Sequence, residues 1–155
     1  HGNEEKCICG KNGCVETIAA GPGLVKQALQ LIKEGKQTSL KNISNLHYNH
    51  IINEALKGDS LSVDLIKKSG EHVGYALAIA INLLNPEVVI VNGSLSKAKN
   101  IFFDALIQSV DIHSINNIRR EAKIMLTEMD NTATLLGTHT MVINKSMAGV
   151  IPALS

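Results

Sequence analysis

The sequence predicts an α/β domain that is rich in helix and contains a small, mainly parallel sheet. Two short apolar runs, at 87–91 and 122–127, have the length and composition of buried strands. The segment between them has helical spacing and is long enough for a crossover, so a parallel pair is the expected arrangement. A chain of 155 residues that is 45% hydrophobic can bury the core of one domain.

All three cysteines lie near the start of the chain, in the segment Cys7-Ile8-Cys9-Gly10-Lys11-Asn12-Gly13-Cys14-Val15-Glu16. Its two glycines allow the tight turn that would bring Cys14 back to the other two cysteines. Three thiolates that converge on one point suit a soft, tetrahedral cation, and zinc is the usual occupant. Inert structural thiols and redox chemistry are the two alternative interpretations.

The cluster lacks the fourth ligand of a tetrahedral zinc site. His1 lies before Cys7 and is near enough in sequence to fold back, but a terminal residue is usually frayed. The chain begins without Met and with this motif almost at its edge. We interpret it as a fragment whose fourth ligand lies upstream.

Three helices are predicted before the first strand, after a helical turn at 15–20. Pro22 suits the first turn of a helix that ends near Glu34. Residues 36–46 are polar and predict a surface loop. The second helix covers about 47–57 and carries an apolar face of Ile51, Ile52, Ala55 and Leu56. Its two histidines, His47 and His50, have a spacing that can bind metal, but without a cysteine or carboxylate nearby we interpret them as solvated surface residues.

The longest helix is predicted at about 61–84, with Asp59 or Ser60 as its N-cap. Its second half is apolar all round, which indicates burial in a domain core. Gly70 and Gly74 lie four residues apart and would permit close backbone packing. The dipeptide Asn85-Pro86 ends this helix.

The β-branched run at 87–91 predicts a central parallel strand, followed by the turn Asn92–Ser96 and a helix from about Lys97 to Val110. A strand, a Gly/Ser turn and a helix N-terminus make a candidate ligand site, with Gly93 and Ser94 at its centre. This signal is weak by itself, and ordinary turn and N-cap chemistry is the favoured explanation of the same residues.

Beyond the second strand, a last helix is predicted at about 132–147, followed by an apolar tail at 150–154 that would dock on another surface. The chain carries 15 basic and 14 acidic residues, which argues against a nucleic-acid interface in this segment. It has no Trp, and no signal or transit segment is visible. Clustered cysteines with no others fit a reducing cytoplasm.

The pattern Cys-x-Cys-Gly-x-x-Gly-Cys-x-Glu, followed by Thr17–Ala20, resembles the signature of the ROK family of repressors, open reading frames and sugar kinases. The resemblance implies the C-terminal lobe of an actin-like, ribonuclease-H-like fold, with the first lobe and a helix-turn-helix domain absent from this chain. It also implies that zinc is held by the three cysteines and an upstream histidine, rather than His1. Glu16 would then contact sugar hydroxyls.

The segment Asn85–Val91 matches a strand of this family, and Ala133–Thr138 resembles its last helix. Kinase members follow that strand with a run of glycines that lets the backbone approach the adenosine of ATP. Here the run is Asn92-Gly93-Ser94-Leu95-Ser96-Lys97-Ala98, which is similar to the turn of N-acetylglucosamine-type repressors, as is the stretch Val142–Leu154. The resemblance therefore favours a repressor without catalytic residues. A ROK sugar kinase that phosphorylates hexoses or N-acetylhexosamines, or a zinc-stabilised interaction module, is the alternative.

The partners expected from the repressor interpretation are a sugar or sugar-phosphate effector, operator DNA bound through the absent domain, and a second copy of the chain. A homodimer or higher homo-oligomer is expected because a repressor that binds two half-sites needs two-fold symmetry. Sugar binding would change the angle between two lobes and move the DNA-binding domains out of register with the operator half-sites. The regulated genes would be those of sugar uptake and metabolism. No membrane insertion is expected.

Overall fold

The computed structural model describes residues 5–127, together with Thr140 and Ile143. In this part of the chain, helices dominate and two strands form a small parallel sheet, which confirms the helix-rich α/β class. The elements are α1 Glu16–Ala19, α2 Gly21–Lys33, α3 Tyr48–Leu56, α4 Ser60–Leu84, β1 Val88–Val91, α5 Lys99–His113, α6 Asn116–Glu121 and β2 Lys123–Leu126, with two 3-10 turns at Ser39–Asn42 and Ser94–Ala98.

The two strands pair in parallel, from Val88 opposite Lys123 to Val91 opposite Leu126. Helices α5 and α6 make the crossover between them. The helical crossover and α5 are as the sequence predicts. One face of β1 packs against the core, whereas Val88 and Ile90 on the other face are exposed. Within the described residues β1 has one sheet neighbour, so the prediction of a central strand is wrong for this part of the chain.

Helix α4 begins where the sequence predicts, because Asp59 caps it. The Asp59 carboxylate accepts the backbone amide of Ser62 at 3.0 Å, which satisfies one of the unpaired amides of the first turn. The helix ends at Asn85, whose φ of 44° lies in the left-handed region, and Pro86 follows. Both ends therefore follow from local sequence chemistry.

The core is centred on the crossing of α4 with α5, where Gly70 and Gly74 let the two backbones approach each other. A Cβ atom at Gly70 would lie 2.4 Å from the carbonyl oxygen of Phe102, and one at Gly74 would lie 2.4 Å from that of Leu106. The predicted close packing at these glycines is confirmed.

The second half of α4 is buried on one side only. The prediction rests on the segment 73–81, in which Ile81 is fully buried but Ile79 is 54% exposed. Beyond this segment, Leu83 is 80% exposed and Leu84 is 71% exposed. The prediction that this half lies wholly within a core is therefore wrong for the described residues. A helix that is apolar all round can bury only the stripe that meets its neighbours, here α5 and α6.

Two further predictions for the first half of the chain need correction, and a third, for two histidines, is confirmed but incomplete. The loop 36–46 is not wholly polar surface, because Leu40 is buried in the core. On α3, Ile51, Ile52 and Ala55 are buried as predicted, but Leu56 is exposed. The histidines lie at the surface as predicted, His47 exposed and His50 partly exposed. They also make hydrogen bonds that were not predicted: His47 Nδ1 accepts the amide of Asn49, and His50 Nδ1 accepts the amide of His47. Together they cap α3.

The predicted last helix at 132–147, including Ala133–Thr138, and the predicted docking tail at 150–154 lie outside the described residues, as does His1. Helix α6 was not expected from the sequence. Among the helices of the described part, none is both long and apolar enough to cross a membrane.

Candidate functional site

The candidate site residues fall into two places, at opposite ends of the short helix α1. The cysteine loop precedes α1, and Glu16 is the first residue of this helix. A cleft beside the carboxyl end of β1 is lined in part by Ala19 and Ala20, at the other end of α1. Because α1 has only four residues, about 6 Å of helix axis separates its two ends.

The backbone of the cysteine loop folds back on itself as a short hairpin. Gly10 and Gly13 adopt φ angles of 86° and 70°, in the left-handed region that favours glycine. The amide of Cys7 donates to the carbonyl of Lys11 at 2.8 Å, and the amide of Gly13 donates to that of Glu5 at 3.0 Å. The turn predicted from the two glycines is confirmed.

The hairpin brings the three cysteine sulfurs together, as predicted. They lie within 4.8 Å of one another, and the Sγ atoms of Cys9 and Cys14 are 3.4 Å apart. A zinc–sulfur bond of about 2.3 Å would place the sulfurs of a tetrahedral site about 3.8 Å apart. The spacing and the uniform, soft donor set therefore fit a zinc ion, and the three thiols are free of disulfides.

The pKa values of Cys9 and Cys14 shift in opposite directions. Hydrogen bonds from the backbone amide of Lys11 and from the thiols of Cys14 and Cys7 lower the pKa of Cys9. Cys14 has its pKa raised to about 11, first by the hydrogen bond to Cys9 and then by the one to Cys7, with burial adding to the shift. The pKa of Cys9 therefore lies below that of Cys14.

Glu16 is joined to the cluster through Cys7. The Cys7 thiol donates to the Glu16 carboxylate, with 3.6 Å between Sγ and Oε2. The hydroxyl of Thr17 donates to the Cys14 carbonyl at 2.7 Å, and the hydroxyl of buried Ser69 on α4 donates to the carbonyl of Ala19 at 2.9 Å. The loop, α1 and α4 are thus linked, and the exposed Glu16 carboxylate is presented from a supported position.

The predicted ligand turn lines a cleft of about 360 Å³ at the carboxyl end of β1. Ser94 donates a hydrogen bond to the hydroxyl oxygen of Tyr48 at 3.3 Å. The Tyr48 ring packs against the backbone of Gly21, where a Cβ atom would lie 2.5 Å from the ring. The full lining is Ala19, Ala20, Gly21, Pro22, Tyr48, Val73, Val91, Asn92, Gly93, Ser94, Leu95, Ser96, Phe102 and Leu126.

None of the residues that line this cleft in the described part of the chain is charged. The cleft therefore offers apolar contact and a few hydroxyl and backbone groups, but no carboxylate or amine for acid–base chemistry. Tyr48 was not singled out in the sequence, because it contacts Ser94 across 46 positions of chain. Its only sequence signal is that it is one of two tyrosines in a chain poor in aromatic residues.

The family model, a curated relative and solved structures were compared with this chain, and they point to the same protein family. The family model described as "ROK family" matches residues 1–145. The N-acetylglucosamine repressor of Escherichia coli O6:H1 is 30% identical over 147 residues, which are 95% of this chain and 36% of that protein. The chain therefore spans about a third of the length of this curated relative.

Two solved structures resemble the described fold. One is a ROK family transcriptional regulator described as a homologue of the E. coli Mlc protein, with a TM-score of 0.75 and 30% identity, covering 81% of this chain and 32% of that one. The other is a ROK family glucokinase from Streptomyces griseus solved with glucose and AMPPNP, with a TM-score of 0.75 and 25% identity, covering 90% of this chain and 47% of that one.

Proposed function

Because this chain belongs to the ROK family, we propose that it is the effector-binding and dimerisation part of a sugar-responsive transcriptional repressor. The observation that carries this proposal is the 30% sequence identity between this chain and an N-acetylglucosamine repressor, over 95% of the chain. In this proposal the chain is the C-terminal lobe of a larger protein, and the operator is bound by a helix-turn-helix domain outside this chain.

The cysteine loop is assigned as a zinc site with Cys7, Cys9 and Cys14 as ligands, on the strength of its spacing and soft donor set. A histidine outside the described residues would complete the tetrahedron. Zinc would supply a structural cross-link that holds the hairpin closed. No chemical step is assigned to it.

Glu16 is assigned as the effector contact. Its carboxylate is exposed at the start of α1, and its helix is held by Cys14 on one side and Ser69 on the other. A carboxylate in this position can accept a charge-assisted hydrogen bond from a sugar hydroxyl, which is roughly twice as strong as a neutral one. The N-acetylglucosamine repressor among its relatives suggests an N-acetylated hexosamine or its phosphate as the effector.

The cleft at Gly93 and Ser94 separates this proposal from the kinase alternative. Asn92, Ser94 and Leu95 line the cleft, and Ser94 is hydrogen-bonded to Tyr48. These side chains would hinder close contact between a nucleotide and the backbone of the turn. These contacts favour a repressor over an ATP-dependent kinase.

The mechanism follows from a site shared between two lobes. Effector binding at Glu16 would stabilise one angle between the lobes and change the spacing of the DNA-binding domains in a homodimer. A repressor acts where its operator lies, so we place the protein in the cytoplasm.

The test uses the full-length protein and an operator fragment selected from genomic DNA. N-acetylglucosamine or its phosphate ester should release the wild-type protein from DNA. Glu16→Gln should still bind DNA but need roughly 10–100-fold more effector, because a hydrogen bond to a charged group contributes about 1.5–3 kcal/mol. Glu121→Gln, at an exposed position on α6, is the matched control and should respond as the wild type.

ATP is the second arm of the same experiment. Calorimetry at millimolar ATP should detect no binding. Micromolar ATP binding with sugar-dependent release of ADP, in a protein that binds no DNA, would replace the repressor with a sugar kinase.

A further inference from the structure

The three thiols of the cysteine loop are not equivalent. The sulfurs of Cys9 and Cys14 are 3.4 Å apart, so a closure of about 1.4 Å would bring them to the S–S bond length of about 2.0 Å. Cys7 is only 6% exposed, and its thiol is directed to the Glu16 carboxylate. All three sulfurs lie within 4.8 Å of one another, so burial and the hydrogen bond to Glu16, rather than distance, distinguish Cys7 from the pair Cys9–Cys14.

Access separates the two members of this pair. Cys9 is exposed at the tip of the hairpin, beside Ile8, which is 94% exposed. Cys14 is half-buried, and its sulfur is in contact with that of Cys9. An exposed thiol with a second thiol in contact is the arrangement in which a sulfenic acid is captured as a disulfide before it oxidises further.

The backbone allows Cys9 to move while Cys14 stays in place. The Cys14 carbonyl accepts both the amide and the hydroxyl of Thr17, which tie it to α1. Cys9 lies in the turn of the hairpin, between Lys6 and Asn12, whose backbones pair at its base. Gly10 follows it directly. Glycine tolerates the change in backbone angles that closure requires.

We propose that Cys9 and Cys14 are a peroxide-sensitive pair, so that this loop is a site of reversible oxidative modification. The Cys9 thiolate attacks one oxygen of hydrogen peroxide, the O–O bond breaks, and the leaving hydroxide takes up a proton to become water. The Cys14 sulfur then attacks the sulfur of the Cys9 sulfenic acid, an S–S bond forms, and the hydroxyl group leaves as a second water with the Cys14 proton. Two thiols are oxidised and one peroxide is reduced to two waters.

The modification has a direct consequence for the loop. The disulfide removes two of the three sulfur ligands of the zinc site assigned under the proposed function, and a thiol reductant restores them. Effector response and metal retention would then depend on the redox state of a single pair. The disulfide itself requires only the geometry of the thiols and stands independently of the sugar or the operator.

The test treats the reduced full-length protein with hydrogen peroxide, blocks remaining thiols with iodoacetamide and maps the peptides. A mass loss of about 2 Da, with one Cys9–Cys14 disulfide and an alkylated Cys7, is the expected result. Cys9→Ser and Cys14→Ser should each abolish the mass loss, whereas Cys7→Ser, the matched control, should retain it. A disulfide that contains Cys7, a bond between two chains, or oxidation to sulfinic acid without a disulfide would overturn the proposal.

A second measurement separates this inference from the zinc assignment. In zinc-loaded protein, release of the metal to a chromophoric chelator should follow disulfide formation in time and amount, and dithiothreitol should reverse it. If the disulfide forms in a protein that never binds zinc, the proposed redox pair is supported and the zinc assignment is wrong. Zinc that stays bound while the disulfide forms would overturn the link between the two.

Discussion

Asp59 receives four hydrogen bonds on one carboxylate, which joins the loop before α3 to the start of α4. The hydroxyl of Thr38 donates at 2.9 Å and the amide of Ser39 at 3.0 Å, both from the loop. The amide and hydroxyl of Ser62 donate from the first turn of the helix, at 3.0 and 2.7 Å. Partial burial, the largest single influence, raises the pKa of Asp59, but these hydrogen bonds outweigh it and lower the pKa below its ordinary value of 3.8.

Replacing Asp59 by Asn should lower the free energy of unfolding by about 1–2 kcal/mol, because the amide group cannot accept all four hydrogen bonds. A lowered pKa in the folded state means that the unfolded chain binds the proton more readily. The charged Asp59 therefore contributes its full stabilisation to the wild type at pH values above 3.8, the ordinary pKa. This stabilisation is lost as the pH falls through the lower pKa of the folded state. Urea unfolding between neutral pH and about pH 3 should show the difference between the two proteins narrowing.

Asp104→Asn is the matched control, since Asp104 is exposed on α5. Its unfolding free energy should stay within about 0.5 kcal/mol of the wild type. A gap between Asp59→Asn and wild type that does not change with pH would contradict the assignment of the charged carboxylate as the cap.

The three cysteines lead to a second prediction at this scale. Elemental analysis of the full-length protein should find about one zinc per chain, and Cys14→Ser should lose most of it and several kcal/mol of stability. Ser44→Ala, at an exposed position of the loop before α3, is the control. A full-length protein that is free of metal, yet stable and responsive to sugar, would remove the zinc assignment.

Local sequence chemistry predicted the cysteine cluster and the Asp59 cap, because each depends on residues close together in the chain. The contact between Tyr48 and Ser94 could not be predicted in this way. It exists only because α3 packs against the turn after β1, and no local pattern encodes that approach.

The crossing of α4 and α5 is the central contact between elements, and Gly74 tests it. A Cβ atom at this position would lie 2.4 Å from the carbonyl oxygen of Leu106 and 2.8 Å from the Cβ of Ser109, so the helices must separate. Gly74→Ala should lower the free energy of unfolding by about 1–3 kcal/mol, despite the roughly 1 kcal/mol that alanine contributes in a helix. Glu71→Ala, at an exposed position of the same helix, should change it by less than about 0.5 kcal/mol. Equal stability of Gly74→Ala and wild type in urea would contradict the close crossing.

Elements with clear start and stop residues were predicted well. Helix α4 has Asp59 before it and Asn85-Pro86 after it, and its observed bounds agree with the prediction. Helix α6 was missed because it is six residues long, has no side-chain cap and has no buried residue. The burial of β1 on one face and of α4 on one side could not be predicted, because a continuous apolar run does not say how many neighbours an element has.

The described part of the chain exposes several large apolar side chains, and the full sequence has a nearly neutral charge of +1. The exposed residues lie at the end of α4, on the outer face of the sheet and at the end of α5, and they include Leu83, Leu84, Val88, Ile90 and Ile112. Surface of this kind favours association with another protein surface, and little net charge opposes it.

We therefore predict that the full-length protein is a homodimer at micromolar concentration. Sedimentation of the protein with and without residues 148–155 checks this and the role of the apolar tail. If truncation weakens the dimer, the tail contributes to the interface. If the dimer is unchanged, the interface is formed by other surfaces. A monomer in both forms would contradict the dimer and weaken the repressor assignment with it.

The glycine crossing also has a genetic consequence. Any missense change at Gly70 or Gly74 adds at least a Cβ atom against the backbone of α5, so such alleles should reduce the amount of folded protein. Under the proposed repressor function, they should leave target genes permanently expressed. Alleles at Glu16 alter an exposed carboxylate and should accumulate normally, but under the same proposal they should keep target genes silent when the sugar is present. A collection of mutants sorted by these two opposite phenotypes would map the packing and the effector contact of this chain separately, without purifying the protein.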